Sequence, residues 1–242
     1  MRVLLISDIH SNLEALDAVL EAVGDFDVIW CLGDVVGYGP NPNECVARLN
    51  EFEHVAIAGN HDWGSLGKID LSTFNADARR ANLWTREQLT ADSVSYLEGL
   101  PKTLTLGDFF LAHGSPRRPI WEYIFDDGVA KVNFSHFDAP VCFVGHTHVP
   151  VRFRDVPNRF HCEQSPVRAE EPFSLDDGRY IVNPGSVGQP RDRDPRAAYM
   201  MLETESKRCE PKRVTYDVAV TQQKMREANL PRRNIERLSV GW

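Results

Sequence analysis

At 242 residues, with a formal charge of −8 and a pI near 5.5, the chain is long enough to bury a full core as one large α/β domain. Acidity of that size argues against a surface built to hold long nucleic-acid backbones, although bound cations would still let a small phosphate-containing substrate approach. The apolar start Met1 to Ile6 breaks at Asp8, too early for a secretory signal, and no run approaches a membrane span, so a soluble cytoplasmic protein is expected.

In chain order, Val3 to Ile6 reads as a strand that ends on Asp8-Ile9-His10. Ser11-Asn12-Leu13-Glu14 has the S-x-x-E form of a capping box. Leu13, Leu16, Val19, Leu20 and Val23 then recur at helical spacing until Gly24 stops them. A second apolar run, Ile29 to Leu32, stops at Gly33-Asp34. It completes a βαβ unit and leaves a carboxylate beyond a strand end, where open α/β sheets place their ligands. The stiff loop Gly37-Tyr38-Gly39-Pro40-Asn41-Pro42 leads into a short helix over 43–49 and a third strand over 55–58, closing on Gly59-Asn60-His61-Asp62. Three such steps predict a parallel sheet.

Residues 63–100 change character: Phe74 to Leu89 and Ser93 to Leu97 read as helices of an insertion packed beside the ligand loops. Leu104 to Leu111 has apolar stretches on both sides of Gly107-Asp108, a hairpin signal, and ends at His113-Gly114. A second insertion near 116–138 carries Trp121, Tyr123 and Phe125, and the next strand, 140–145, delivers Gly145-His146-Thr147-His148. Val149 to Arg154 returns as a strand, and 156–178 reads as an exposed loop rich in Pro, Glu and Asp. Tyr180 to Val182, Ala197 to Leu202 and Lys212 to Tyr216 read as strands of a second sheet, with the glycine- and proline-rich loop 183–191 facing the site. A helix over 218–228 and an Arg-rich surface tail after Pro231 close the chain. No linker-like break separates the ligand segments between residues 8 and 148, so 1–242 reads as one domain.

Five strand-end segments that each leave Asp, Asn or His just past apolar residues predict a shared polynuclear metal site. Divalent-metal chemistry on phosphate esters uses hard oxygen ligands, imidazoles and a carboxylate that bridges two cations about 3.5 Å apart. Asp8 and His10 are two residues apart, as are His146 and His148, so on an extended segment each pair points one way. Each block alone has an ordinary explanation. Asp-x-His caps helices, Gly-Asp makes turns, and a lone His113 is a satisfied buried histidine. The ordered set is far more specific than its parts. Five scattered cysteines, Cys31, Cys45, Cys142, Cys162 and Cys209, form no CxxC pair and support neither a disulfide framework nor a thiolate zinc site.

The order Asp-x-His, Gly-Asp, Gly-Asn-His-Asp, His-Gly, Gly-His-x-His resembles the calcineurin-like metallophosphoesterase superfamily over the whole chain. Gly33 to Pro40 and Asn183 to Arg191 are similar to its small bacterial branch. The resemblance implies an α/β four-layer sandwich of two mixed β-sheets flanked by helices. It also implies two divalent metal ions (Mn, Fe, Zn or Co, with Mn favoured). Asp8, His10 and His148 would hold one, Asn60, His113 and His146 the other, and Asp34 would bridge them. His61 would stand by the leaving-group oxygen, supplying a proton or stabilising charge as an imidazolium, with Asp62 orienting its ring. Asn60 would also touch a phosphate oxygen. The implied reaction is in-line attack of a metal-bridging hydroxide on a phosphate ester. The resemblance does not select the substrate, but Trp84, Trp121, Tyr123 and Phe125 of the two insertions could stack on a base, so a small nucleotide-type phosphodiester is expected in preference to a monoester.

Substrate-binding candidates beside these blocks are Asn12, Tyr38, Trp63, Arg117 and Arg191, whose ordinary alternatives are capping, loop packing and solvated charge. The expected partner is a small phosphate ester, with no membrane and no extended nucleic acid. Val240-Gly241-Trp242 leaves a homo-oligomer open. The competing reading is a metal-binding scaffold with little catalysis. Relatives of that kind tend to lose the histidine that stands here at His61, so its presence with Asp62 favours an enzyme.

Overall fold

Along the first strand, β1 (Arg2–Ile6), Val3 and Leu5 alternate with Leu4 and Ile6, and all four are buried, so both faces of the strand are covered. A computed structural model describes residues 1–242 and shows what covers them. β1 pairs in parallel with β2 (Val28–Cys31), which pairs in parallel with β3 (His54–Ala56). Beyond β1 lie the antiparallel β11 (Ala197–Glu203), β12 (Arg208–Val214) and β9 (Phe173–Ser174), giving the order β3-β2-β1-β11-β12-β9.

The second sheet has the order β4-β5-β6-β10-β7-β8. Its strands are β4 (Thr103–Leu106), β5 (Phe109–Ala112), β6 (Val141–Phe143), β7 (Val151–Arg154), β8 (Glu163–Pro166) and β10 (Tyr180–Asn183). β5, β6 and β10 are parallel, and β4 and β7 run against them.

Val3, Leu5, Trp30 and Leu32 of the first sheet meet Phe109, Leu111, Phe143 and Val182 of the second in one apolar layer. The opposite side chains, Leu4, Ile6, Ile29 and Cys31, pack on α1 (Leu13–Ala22) and α2 (Pro42–Leu49), through Leu16, Val19, Cys45 and Leu49. On the outer face of the second sheet, Cys142, Phe153 and Ile181 meet Ala130 of α6 (Asp127–Asn133) and Phe134. The layers are therefore helix, sheet, sheet, helix, as the resemblance implied. No helix is long and apolar enough to cross a membrane.

Four details differ from the sequence reading. The α1 cap is Asn12, whose side chain accepts the Ala15 N–H, because the chain at Ser11 is still turning with φ 54°. Residues 156–178 contain β8 and β9, too short and polar to show a period. β11 and β12 belong to the first sheet, beside β1; only β10 joins the second. The tail after Pro231 forms α8 (Arg232–Arg237), which follows α7 (Val218–Glu227) and buries Ile235 and Leu238 against Tyr38 and Met225.

Phe143 is fully buried between the sheets and stacks on Phe109 at 5.9 Å. Phe143→Ala is expected to cost about 3–5 kcal/mol in urea unfolding. Val220→Ala, at a 40% exposed site on α7, is expected to stay within about 0.5 kcal/mol. Equal effects would contradict the two-sheet core.

Candidate metal centre

The parallel strands β1, β2, β3, β5 and β6 each end one to four residues before a candidate ligand, and these ends lie together. The chain turns there through strained backbone. Asp8, His10, Asp34, His146 and His148 have φ of 54°, 51°, 53°, 65° and 61°, in the left-handed region that costs about 1–2 kcal/mol for a residue with a Cβ. Strain concentrated at residues whose side chains converge points to function. Backbone bonds hold it: Asp8 N–H donates to Gly33 O at 3.0 Å, His10 N–H to Asp34 O at 2.9 Å and Gly188 N–H to Asp8 O at 3.0 Å. Close packing also explains two glycines. A Cβ at Gly59 would lie 2.0 Å from Asp34 Oδ1, and one at Gly145 would lie 2.0 Å from Ser7 Oγ.

Two buried clusters result: Asp8 with His10 and His148, and Asp34 with His113 and His146. In the first, His10 Nε2 and His148 Nε2 are 3.1 Å apart, and Asp8 Oδ1 lies 3.2 Å from His148 Nε2 and 3.7 Å from His10 Nε2. In the second, His113 Nε2 lies 3.2 Å from His146 Nδ1, 3.1 Å from Asn60 Oδ1 and 3.3 Å from Asp34 Oδ2. That same Asp34 oxygen is 3.6 Å from His10 Nε2, so it sits between the clusters.

The donor set fits divalent cations. Nδ1 of His10, His113 and His148 meets the carbonyl oxygens of Val36, Leu32 and Gln189 at 3.2, 2.8 and 2.6 Å. A carbonyl only accepts, so each Nδ1 carries the proton and each Nε2 presents its lone pair inward. Lone pairs facing one another repel unless something positive lies between them. The carboxylates show the same one-sidedness. Asp8 Oδ2 accepts from Ser7 Oγ and the His146 N–H, and Asp34 Oδ1 from the His61 N–H. Asp8 Oδ1 and Asp34 Oδ2 are buried with no protein donor.

Charges divide the site accordingly. Burial raises both carboxyls, but His148 beside Asp8 and His113 beside Asp34 outweigh it, and both acids are held well below the usual range. Burial keeps His10, His146 and His148 below the ordinary imidazole value and brings His61 down to about 4. His113 is the exception: burial opposes its charge, yet the Asp34 carboxylate pushes it up to about 9, so in the protein alone a proton on Nε2 faces Asp34, and a cation would take that proton's place. Anionic oxygens beside mostly neutral imidazoles are a ligand set for a hard or borderline cation.

The remaining candidates divide. His61 lies beside the clusters, its ring 4.8 Å from His10 and 4.2 Å from Tyr38. Asp62 does not orient it, contrary to expectation. Burial, then the Asp34 charge, raise the Asp62 carboxyl, and its oxygens are taken by the N–H groups of Asp34, Val36 and Gly59. It pins the ligand loops instead. The partner of His61 Nδ1 is Asn82 Nδ2 at 2.9 Å, on α4 (Ala76–Gln88), a residue 21 positions away in sequence that no motif marks.

Asn12 is fully used by Gly188 O, Tyr216, Thr221 and its cap, which is the ordinary alternative. Tyr38 is buried edge-on to His10 at 4.7 Å. Arg191 lies over the Tyr38 ring and bonds Gln189 Oε1 at 2.8 Å, with no carboxylate partner. Trp63 packs under Lys102, and Arg117 is paired with Glu122.

Hard oxygens and imidazoles gathered at the open strand ends of a helix-sheet-sheet-helix sandwich define a metal-site α/β protein. The family model for the calcineurin-like phosphoesterase superfamily domain matches residues 1–207. A solved metallophosphoesterase from Sphaerobacter thermophilus is 48% identical with a TM-score of 0.92, covering 100% of this chain and 99% of its own. An uncharacterised protein of Methanocaldococcus jannaschii, MJ0912, is 38% identical over 98% of this chain and 97% of its own. The phosphodiesterase YfcE of Escherichia coli is 27% identical over 85% of this chain and 89% of its own. The chain belongs to the calcineurin-like phosphoesterase superfamily.

Because a cation relieves this repulsion only in the folded chain, Mn²⁺ at about 100 times its dissociation constant is expected to add about 2.7 kcal/mol of stability. The unfolding temperature should rise accordingly and return to baseline with chelator. A melting curve indifferent to Mn²⁺, Zn²⁺ and Fe²⁺ alike would mean that the clusters hold no cation.

Proposed function

We propose that the chain is a dinuclear metal-dependent phosphoesterase acting on small phosphodiesters in preference to monoesters. The observation that carries this is Asp34 Oδ2, buried, without a protein donor, and 3.6 and 3.3 Å from imidazole nitrogens of the two clusters. One oxygen shared by two ligand groups is what a bridging carboxylate requires. Asp8, His10 and His148 would hold one cation and Asn60, His113 and His146 the other, and the mixed oxygen and nitrogen donors suit Mn, with Fe, Zn or Co as alternatives. When bound, such a pair supplies an acidified water and offsets phosphoryl charge.

The protein's own groups do the positioning. Arg191, free of any carboxylate, presents a guanidinium to a phosphate oxygen. His61, its Nδ1 engaged by Asn82, has Nε2 left for the leaving oxygen. Phe74 lies edge-on to His61 at 5.2 Å and Trp121 edge-on to Phe74 at 5.5 Å, while Tyr123 stacks on His146 at 3.8 Å. Trp121, Tyr123 and Phe125 are 40%, 43% and 56% exposed. A half-exposed aromatic wall beside a charged centre suits a planar ester group, such as the base of a nucleotide. The phosphodiesterase name of the Escherichia coli relative supports the diester preference. Five free, buried cysteines fit a reducing compartment such as the cytoplasm.

Mn-loaded protein screened against phosphomonoesters, cyclic nucleotides and dinucleoside polyphosphates is expected to hydrolyse diesters best; no turnover with any metal would favour the scaffold reading. His61→Ala should retain its metal and lose about 10²–10³-fold in kcat, whereas Asp34→Ala should lose both, and a fully active Asp34→Ala protein would remove the bridge.

Trp121→Ala is expected to raise KM for a nucleotide diester about tenfold, the scale of one stacked base, and to leave a dialkyl diester unchanged. Equal losses on both would assign Trp121 to packing alone.

A further inference from the structure

Asn82 is fully buried, and its carboxamide has three neighbours: Nδ2 lies 2.9 Å from Ala78 O and 2.9 Å from His61 Nδ1, and Oδ1 lies 3.1 Å from Ser65 Oγ. The direction of the amide follows from chemistry. Ala78 O can only accept, so the amide nitrogen must face it; the reversed amide would set oxygen against oxygen. The second N–H of that nitrogen faces His61 Nδ1. A ring nitrogen that meets a donor must itself accept, which places the proton of the neutral imidazole on Nε2.

The surroundings leave Asn82 as the one partner for this nitrogen. A Cβ at Gly37 would lie 2.6 Å from His61 Nδ1, so the loop after Asp34 has no room there for a side chain of its own. Asp62, adjacent in sequence, is committed to three backbone N–H groups. The helix that carries Asn82 is locked to the one that carries His61, α3 (Asn60–Leu66). Arg86 donates to Ser65 O and Gly64 O at 3.2 and 2.7 Å, and Gly64 lacks the Cβ that would lie 2.8 Å from Asn82 Oδ1.

We propose that Asn82 is a positioning residue that fixes His61 as the Nε2–H tautomer, so that His61 serves the reaction as a neutral hydrogen-bond donor and not as a proton-transferring imidazolium. A doubly protonated ring would set an Nδ1–H against the Asn82 N–H. His61 Nε2–H therefore donates a hydrogen bond to the departing oxygen as the P–O bond breaks and keeps its proton, and water protonates the released alkoxide. The catalytic consequence rests on the phosphoesterase reading; the tautomer does not.

The two are separated by measuring the tautomer first, in metal-free protein labelled with ¹⁵N-histidine, with the His61 resonances assigned by His61→Gln. Nitrogen shifts should show Nε2 protonated and Nδ1 bare in the native chain, and a mixture of tautomers in Asn82→Ala. Asn82→Asp, whose carboxylate accepts, should move the proton to Nδ1. A native ring protonated on Nδ1 overturns the proposal without recourse to any variant. In Mn-loaded protein, Asn82→Ala should lose about tenfold more kcat on alkyl diesters than on p-nitrophenyl diesters, with KM held, because only the poor leaving group needs the donor. Equal losses on both would mean that Asn82 merely supports the fold. A native Nε2–H tautomer in a protein that hydrolyses nothing would support the tautomer and overturn only the phosphoesterase reading.

Discussion

Burying the Asp34 carboxylate costs free energy that its protein neighbours offset on one side only. Oδ1 accepts the His61 N–H at 2.8 Å, and Oδ2 faces imidazole nitrogens whose own protons are turned outward to backbone carbonyls. A buried polar atom without a partner costs roughly 1–3 kcal/mol, and more when charged. Asp8 Oδ1 shows the same deficit. A set of inward lone pairs around unsatisfied anionic oxygens is therefore incomplete as protein alone, and only positive charge completes it.

That incompleteness is held in place by the sheets. The ligand loops adopt left-handed backbone at five candidate ligands, a conformation that relaxes unless it is over-determined. Over-determination comes from parallel strands that end level with one another, from loop-to-loop backbone bonds, and from Asp62, whose carboxylate ties the N–H groups of Asp34, Val36 and Gly59 together. The apolar layer between the sheets, with Leu5, Trp30, Leu111 and Phe143, lies directly beneath. Packing there sets the spacing of the strand ends and hence of the imidazoles.

What the sequence made legible follows from which interactions are local. Strand, glycine and polar residue form a contiguous pattern, so the ligand segments and the first three β-loop-α steps could be read directly, as could the hairpin at Gly107-Asp108. Sheet membership of β11 and β12 could not be, because it rests on the pairing of β11 with β1, which joins residues some 200 positions apart, Arg2 with Glu203, and β12 follows β11 into the same sheet. The burial of Ile235 and Leu238 was hidden for a similar reason: α8 is short and Arg-rich, and its apolar residues are defined by what they meet, Tyr38 and Met225. Asp62 was misread because adjacency in sequence suggested contact with the His61 ring. On α3, residues one apart face different ways, and the carboxylate turns back to the helix start while the imidazole turns to α4.

The division of labour between scaffold and insertions bears on how such a centre acquires a specific reaction. Every candidate metal ligand follows the end of a sheet strand, whereas the groups packed around His61 and His146 come from the inserted segments: Asn82 and Phe74 from residues 63–100, Trp121 and Tyr123 from residues 116–138. The second segment is itself braced. Glu122 accepts from Ser115, Arg117 and Asn133, which leaves its neighbours Trp121 and Tyr123 directed toward His61, by way of Phe74, and toward His146. On the proposed reading, metal affinity would be set by the strand ends and the choice of ester by two insertions that the sheets tolerate but do not require. On that reading, exchange of either insertion would leave the candidate ligands in place and change only the groups packed beside them.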